Sequence, residues 1–314
     1  MKFFLIKPVK ALFIFLFVSF TSVAQSVDKV VQLDSVMVQA VKGGFKVEDF
    51  IELVKNDSSF YKSFKNLHFY PFKFKTSLVV FNRDDKEKAT LYREATHHVV
   101  NKREWTEITK ETTTGNIYKK NKEFRYYTAE LLDYTFFPKD TGYASNVVNS
   151  GNGNNKKKDA NNDNYERLKV LIFNPGSEVE GVPLIGKKMA IFDEDMSQYY
   201  DYFINAETYQ DSIKCYKFIC RAKQDAQMKS SKKAVIKELI SWFDRKTFNI
   251  VCRRYVLSYS SVFFDFDVTM EVNLTQKNGA LVPILNTYKG SFDIPFRKAE
   301  IVGFRMDFSD FEIE

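Results

Sequence analysis

The sequence predicts an α+β chain, mostly β, in which short N-terminal helices pack against one long antiparallel sheet. Three observations carry the prediction. Phe264, Phe266, Val268, Met270, Val272 and Leu274 alternate without a fault with Asp265, Asp267, Thr269, Glu271, Asn273 and Thr275. That period of two makes one face of a long strand apolar and the other wet. Short turns divide the last third of the chain, as at Asp244-Arg245-Lys246-Thr247 and Lys277-Asn278-Gly279, so neighbouring strands there pair as hairpins. Helical spacing of apolar residues, by contrast, falls before Pro71.

The chain opens with Lys2, Lys7 and Lys10, then the apolar run Ala11 to Phe20, then Ser22-Val23-Ala24 before Gln25. This is the pattern of a secretory signal peptide, residues 1–24, with cleavage after Ala24. A membrane-spanning helix needs about 20 apolar residues, and this run is shorter. No cysteine follows the cut, so the acylation signal of a bacterial lipoprotein is missing. Residues 25–314 then form a single mostly-β domain.

An extended piece, Val30 to Ala40, ends at Gly43-Gly44. From Val47, Phe50, Ile51 and Val54 share a helix face, and Asn56-Asp57-Ser58 reads as a stop and a new cap. Phe60, Tyr61, Phe64 and Leu67 continue a second short helix. Strands are expected near Thr76 to Asn82, Ala89 to His98, Glu104 to Thr112, Tyr118 to Phe136, Arg167 to Phe173, Tyr199 to Ile204 and Ile213 to Ala222. More follow near Val235 to Phe243, Phe248 to Tyr259, Phe263 to Thr275, Leu281 to Phe292 and Val302 to Phe308. Sequential antiparallel pairing makes these one wide meander. The stretch 145–164 is rich in Asn, Lys, Gly and Asp; it buries too little surface to offset its ordering entropy and reads as a disordered insertion.

The leader carries three of the 47 basic residues and none of the 40 acidic ones, which leaves the mature chain at +4. The main basic cluster, Lys156-Lys157-Lys158, sits in the polar insertion and reads as a solvated loop, so no nucleic-acid partner is expected. Cys215 and Cys220 are five apart and point to opposite faces of one strand, so they cannot pair with each other. Either could meet Cys252, but buried free thiols are the preferred reading.

Chemistry-bearing patterns are missing. His97 and His98 are adjacent and face opposite ways, and no zinc or metalloprotease spacing occurs, so no metal or cofactor is expected. There is no Gly-x-Ser-x-Gly elbow and no cysteine-hydrolase signature. Asp265 and Asp267 share a wet strand face and read as solvated charge, and Asp193, Glu194 and Asp195 lack the spacing of a calcium loop. The chain is therefore read as non-enzymatic, without catalytic residues. What remains is aromatic surface: 31 Phe and 17 Tyr, with Val302, Phe304, Met306 and Phe308 repeating the alternation of Phe264 to Leu274. So tall an apolar face exceeds what two short helices cover, which makes a ligand cavity and a filled core competing expectations.

Trp242-Phe243-Asp244-Arg245-Lys246-Thr247 at a hairpin, preceded by Cys215-Tyr216-Lys217-Phe218, resembles the Trp-h-Asp-x-x-Thr hairpin of the lipoprotein-carrier superfamily of LolA and LolB type. The resemblance covers roughly Val47 to Thr275 in arrangement; Leu281 to Phe308 lies outside it, and Gln210-Asp211-Ser212 replaces the usual glycine-bearing turn. It implies that the long antiparallel sheet is curved, an incomplete barrel with the N-terminal helices on its concave face, around a cavity that accepts acyl chains. On that reading the ligand-cavity candidates are Trp242, Phe264, Phe266, Val268, Met270, Val272, Phe304 and Met306. Leu33-Asp34-Ser35-Val36-Met37-Val38 also resembles a segment of Bacteroidetes envelope proteins, and the Phe, Tyr, Asn and Lys content fits that source.

The expected function is an exported, periplasmic or outer-membrane-associated protein that holds an acyl chain, a lipid or an apolar segment of an outer-membrane partner. The alternatives are an outer-membrane β-barrel, which alternating strands also suit although the chain ends Glu312-Ile313-Glu314 without a terminal aromatic, and an interaction protein with a fully packed core.

Overall fold

The computed structural model describes residues 47–137, 142–143, 173–179, 184–261, 265–293 and 299–313, all within one compact unit, Val31–Glu314. The leader, the piece Val30 to Ala40, the insertion at 145–164, most of the strand expected at Arg167 to Phe173, and Phe264 lie outside the described residues.

Among the described residues two helices come first, α1 (Val47–Asn56) and α2 (Ser59–Asn66). Asp57 separates them, and its Oδ1 accepts a hydrogen bond from the Ser59 backbone N–H at 2.9 Å. That bond satisfies one of the orphan donors at the start of α2. Three strands follow, β1 (Phe72–Phe81), β2 (Glu87–Val100) and β3 (Arg103–Gly115). The two-residue β4 (Gly142–Tyr143) lies beside the start of β3. The rest of the sheet is β5 (Tyr200–Tyr209), β6 (Ile213–Ala222), β7 (Ile236–Asp244), β8 (Ile250–Ser260), β9 (Asp265–Lys277), β10 (Ala280–Asp293) and β11 (Glu300–Ser309).

These strands form one open, curved antiparallel sheet of eleven in the order β4-β3-β2-β1-β11-β10-β9-β8-β7-β6-β5. From β5 to β11 the order is the predicted meander. The meander then continues onto the beginning of the chain: Thr76 of β1 stands opposite Met306 of β11, and Leu78 opposite Phe304. The last long strand is thus central, flanked by β10 and β1.

One expected strand is a helix. Within Tyr118 to Phe136, Tyr118 and Phe124 form an isolated bridge, and Tyr127–Phe136 is helical, α3. Its aromatic residues favour strands by propensity, but Leu131, Leu132 and Phe136 bury on one side. The decisive partner is remote: the Glu300 carboxylate accepts from the N–H groups of Tyr127 and Thr128 at 2.8 and 2.9 Å. A carboxylate at this end satisfies orphan donors and complements the helix dipole.

The inner face of the sheet, the one that carries α1 and α2, holds the main core. Phe50 of α1 stacks on Phe218 at 5.7 Å and meets Phe243 edge-on at 5.6 Å. Helix α2 packs along β10, where Asn66 Nδ2 donates to the Leu281 carbonyl at 2.7 Å. Phe136 of α3 stacks on Phe304 at 5.4 Å.

Candidate functional site

Of the eight residues proposed from sequence, six come together. Phe266, Val268, Met270 and Val272 of β9 and Phe304 and Met306 of β11 all lie on the inner face, in one continuous core, each at most 7% exposed. Alternation places them there: register aligns Val272, Asn286 and Met306 across β9, β10 and β11, and likewise Met270, Tyr288 and Phe304. Tyr288 lies along its own strand over Gly290, where an added Cβ would come 2.6 Å from its hydroxyl oxygen.

Trp242 lies on the other face. Register pairs it with Lys217 and Cys252, in a small outer cluster with Cys215 and Ile240, roofed by Tyr209 near the end of β5. Its indole N–H donates to Glu207, and its ring centroid is 5.3 Å from that of Tyr209. Its neighbour Phe243 is the one that points inward. Cys215 joins this outer cluster while Cys220 sits in the inner core, the opposite-face arrangement that their spacing requires. All three cysteines are free and buried. Burial pushes the Cys215 thiol up to about 11 and that of Cys252 up to about 12.

The inner face is not wholly apolar. One register row crosses the sheet as Glu111, Arg93, Thr76, Met306, Asn286, Val272, Arg253, Ser241 and Phe218. Arg93 is paired, its guanidinium donating to Asp133 of α3 and, at 2.7 Å, to Glu111. Arg253 donates Nε to Ser241 Oγ at 2.9 Å. Its Nη2 lies 3.5 Å from Asp57 Oδ2, and its guanidinium carbon sits 4.5 Å from the centre of the Phe60 ring. Burial presses this guanidinium below its ordinary value, and the Asp57 charge opposes the shift. Between the two arginines, Asn286 is 1% exposed, and among the described residues neither its Oδ1 nor its Nδ2 has a hydrogen-bond partner.

A second polar cluster ties the end of α2 to β2 and β3. His68 Nδ1 lies 2.7 Å from Glu104 Oε2, and His97 Nε2 is 3.5 Å from the same oxygen. Burial disfavours the charged carboxyl of Glu104, but the hydrogen bond from His68, with His97 close by, outweighs it and holds the group below the usual carboxylate range. His98 faces the other way, stacked on Trp105 at 4.9 Å. Among the described residues no group of three His, Cys, Asp or Glu side chains is arranged to hold a metal ion.

Neither polar feature was foreseen. The one sequence signal that could have found them is a polar or charged residue at an inward position of an alternating strand: Thr76, Arg93, Arg253 and Asn286 each occupy one.

Two features separate this arrangement from a membrane-spanning barrel. The sheet is open, its terminal strands β4 and β5 lying at opposite ends of the order, whereas a spanning barrel must close to satisfy its backbone. Its apolar face also turns inward, whereas a barrel in lipid turns its apolar face out.

No protein-family model matches the chain, and no curated protein does. Among solved structures it is similar to a LolA superfamily protein from Nitrosomonas europaea, at 9% identity over 82% of this chain and 93% of that one, TM-score 0.24. A DUF1329 family protein from Desulfovibrio piger matches at 11% identity over 81% and 90%, TM-score 0.24. An outer membrane lipoprotein-sorting protein domain from Vibrio parahaemolyticus matches at 8% over 79% and 88%, TM-score 0.26. A likeness this distant assigns neither family, ligand nor activity.

Proposed function

We propose that the chain is an exported, non-enzymatic protein of the cell envelope that shelters an acyl chain, a lipid or an apolar partner segment on the inner face of its open sheet, beneath α1 and α2. The observation that carries this reading is the apolar wall of β9 and β11, from Phe266 to Leu274 and from Val302 to Phe308, in a sheet that does not close. A cover of short helices, α3 with Phe136 on Phe304 included, can be displaced from a tall apolar face at less cost than a strand of the sheet. The leader-like N-terminus supports export, and a periplasmic or outer-membrane-associated location is part of the same reading.

The test is lipid analysis of the purified chain by mass spectrometry, with binding of the nonionic dye Nile red. Co-purifying acyl lipid and saturable dye binding are expected; a lipid-free chain that also leaves the dye dark overturns the reading. The burial of the same side chains favours a second reading, an interaction protein with a fully packed core, and that second outcome is its signature.

A further inference from the structure

We propose that Arg253 and Asn286 form a carboxylate-binding site beneath the α1–α2 turn, so that the ligand is a long-chain fatty acid held by its head group, with Asp57 occupying the site in its absence. This rests on the acyl-binding reading and specifies the ligand's polar end.

Arginine carries five N–H donors and stays charged, so a buried one is costly unless paired and hydrogen-bonded. Arg93 meets the requirement with two carboxylates. Arg253 does not: among the described residues its donors find one Ser241 hydroxyl at 2.9 Å and a carboxylate oxygen 3.5 Å away. That distance is long for a charge-assisted bond, which normally falls near 2.7–2.9 Å. The Asp57 oxygen concerned is itself buried without a hydrogen bond among the described residues. The pair has the right charges and an unfinished geometry.

Asn286 is the second, independent observation. It stands on the same face and in the same register row, two strands from Arg253, and α2 packs along its strand. Two strand spacings put the Cα atoms about 10 Å apart, a gap that one arginine side chain and one carboxylate can bridge. A buried amide with both polar atoms unpaired costs stability, and a ligand head group offers it an acceptor. An incoming carboxylate takes Asp57's place on Arg253 and accepts from Asn286 Nδ2, while its alkyl chain lies against Met270, Val268 and Phe266. Asp57 belongs to the turn between the helices, so its release also frees the cover that the alkyl chain must displace.

The test compares palmitate with methyl palmitate as displacers of Nile red from the purified chain. Palmitate is expected to displace the dye at a concentration about tenfold or more below that of the ester, the size of one charge-assisted hydrogen bond. Arg253→Met removes this preference, Arg253→Lys retains part of it, and Asp57→Asn strengthens palmitate severalfold by weakening the internal competitor. Acid and ester acting equally on the wild-type chain, or a preference that survives Arg253→Met, overturns the assignment while leaving acyl binding intact. A chain that binds neither dye nor lipid overturns both readings.

Discussion

Arg253 on β8 and Asp57 in the α1–α2 turn stand 3.5 Å apart with both side chains almost fully buried, so one of the contacts that tie the helical cover to the sheet is a buried ion pair. Removing one member strands the other charge where water cannot reach it.

Asp57→Ala is therefore expected to destabilise the fold by about 3 kcal/mol or more, the low end for a broken buried pair. Urea unfolding checks it. A loss below about 0.5 kcal/mol would mean that the turn simply opens and Arg253 finds water.

Asn286→Leu should act in the opposite direction. It replaces two buried unpaired polar atoms by apolar surface, and the relief is on the order of 1–3 kcal/mol. A raised urea midpoint at unchanged slope would show it. A destabilised variant would mean that the amide has partners in solution.

Glu104→Gln tests the histidine cluster through its pH dependence. The Glu104 carboxyl is depressed in the folded chain, so its contribution is complete above the unfolded value of about 4.3 and is lost as pH falls through the lower folded value. Unfolding free energies of the two proteins should differ by about 1–2 kcal/mol at neutral pH and converge below pH 4. A gap that persists unchanged into acid would rule out the carboxylate's charge as its source.

The three free thiols should be silent toward a thiol-specific reagent at pH 8 and all react after denaturation. Each is fully buried, and burial holds Cys215 near 11, Cys252 near 12 and Cys220 well above its ordinary value. Thiolate is the reactive form, so raised values and lack of access act together. Rapid labelling of any one in the native chain contradicts the arrangement.

The face that each strand residue occupies was largely legible in the sequence. The alternation of Phe266 to Leu274 and of Val302 to Phe308 is local and depends on backbone geometry alone, as does the separation of Cys215 from Cys220 and of His97 from His98. The two N-terminal helices were legible for the same reason, with their own period. Trp242 was the exception among the proposed wall residues: a motif placed it there, while parity along β7 puts Phe243 inward and the tryptophan out.

Partnership is what only the tertiary structure decided. A period of two says which side chains share a face but nothing of which distant strand lies alongside, so the pairing of Thr76 with Met306 from near opposite ends of the chain could not be read locally. The same holds for α3, whose first turn is held by Glu300 from β11, and for the row that aligns Arg93, Thr76, Asn286 and Arg253. By itself the sequence determined the strands, their wet and dry sides and the early helices, because these follow from the repeat of the backbone. Long-range register decided what those dry sides enclose, because it is set by packing and polar satisfaction summed over the whole sheet.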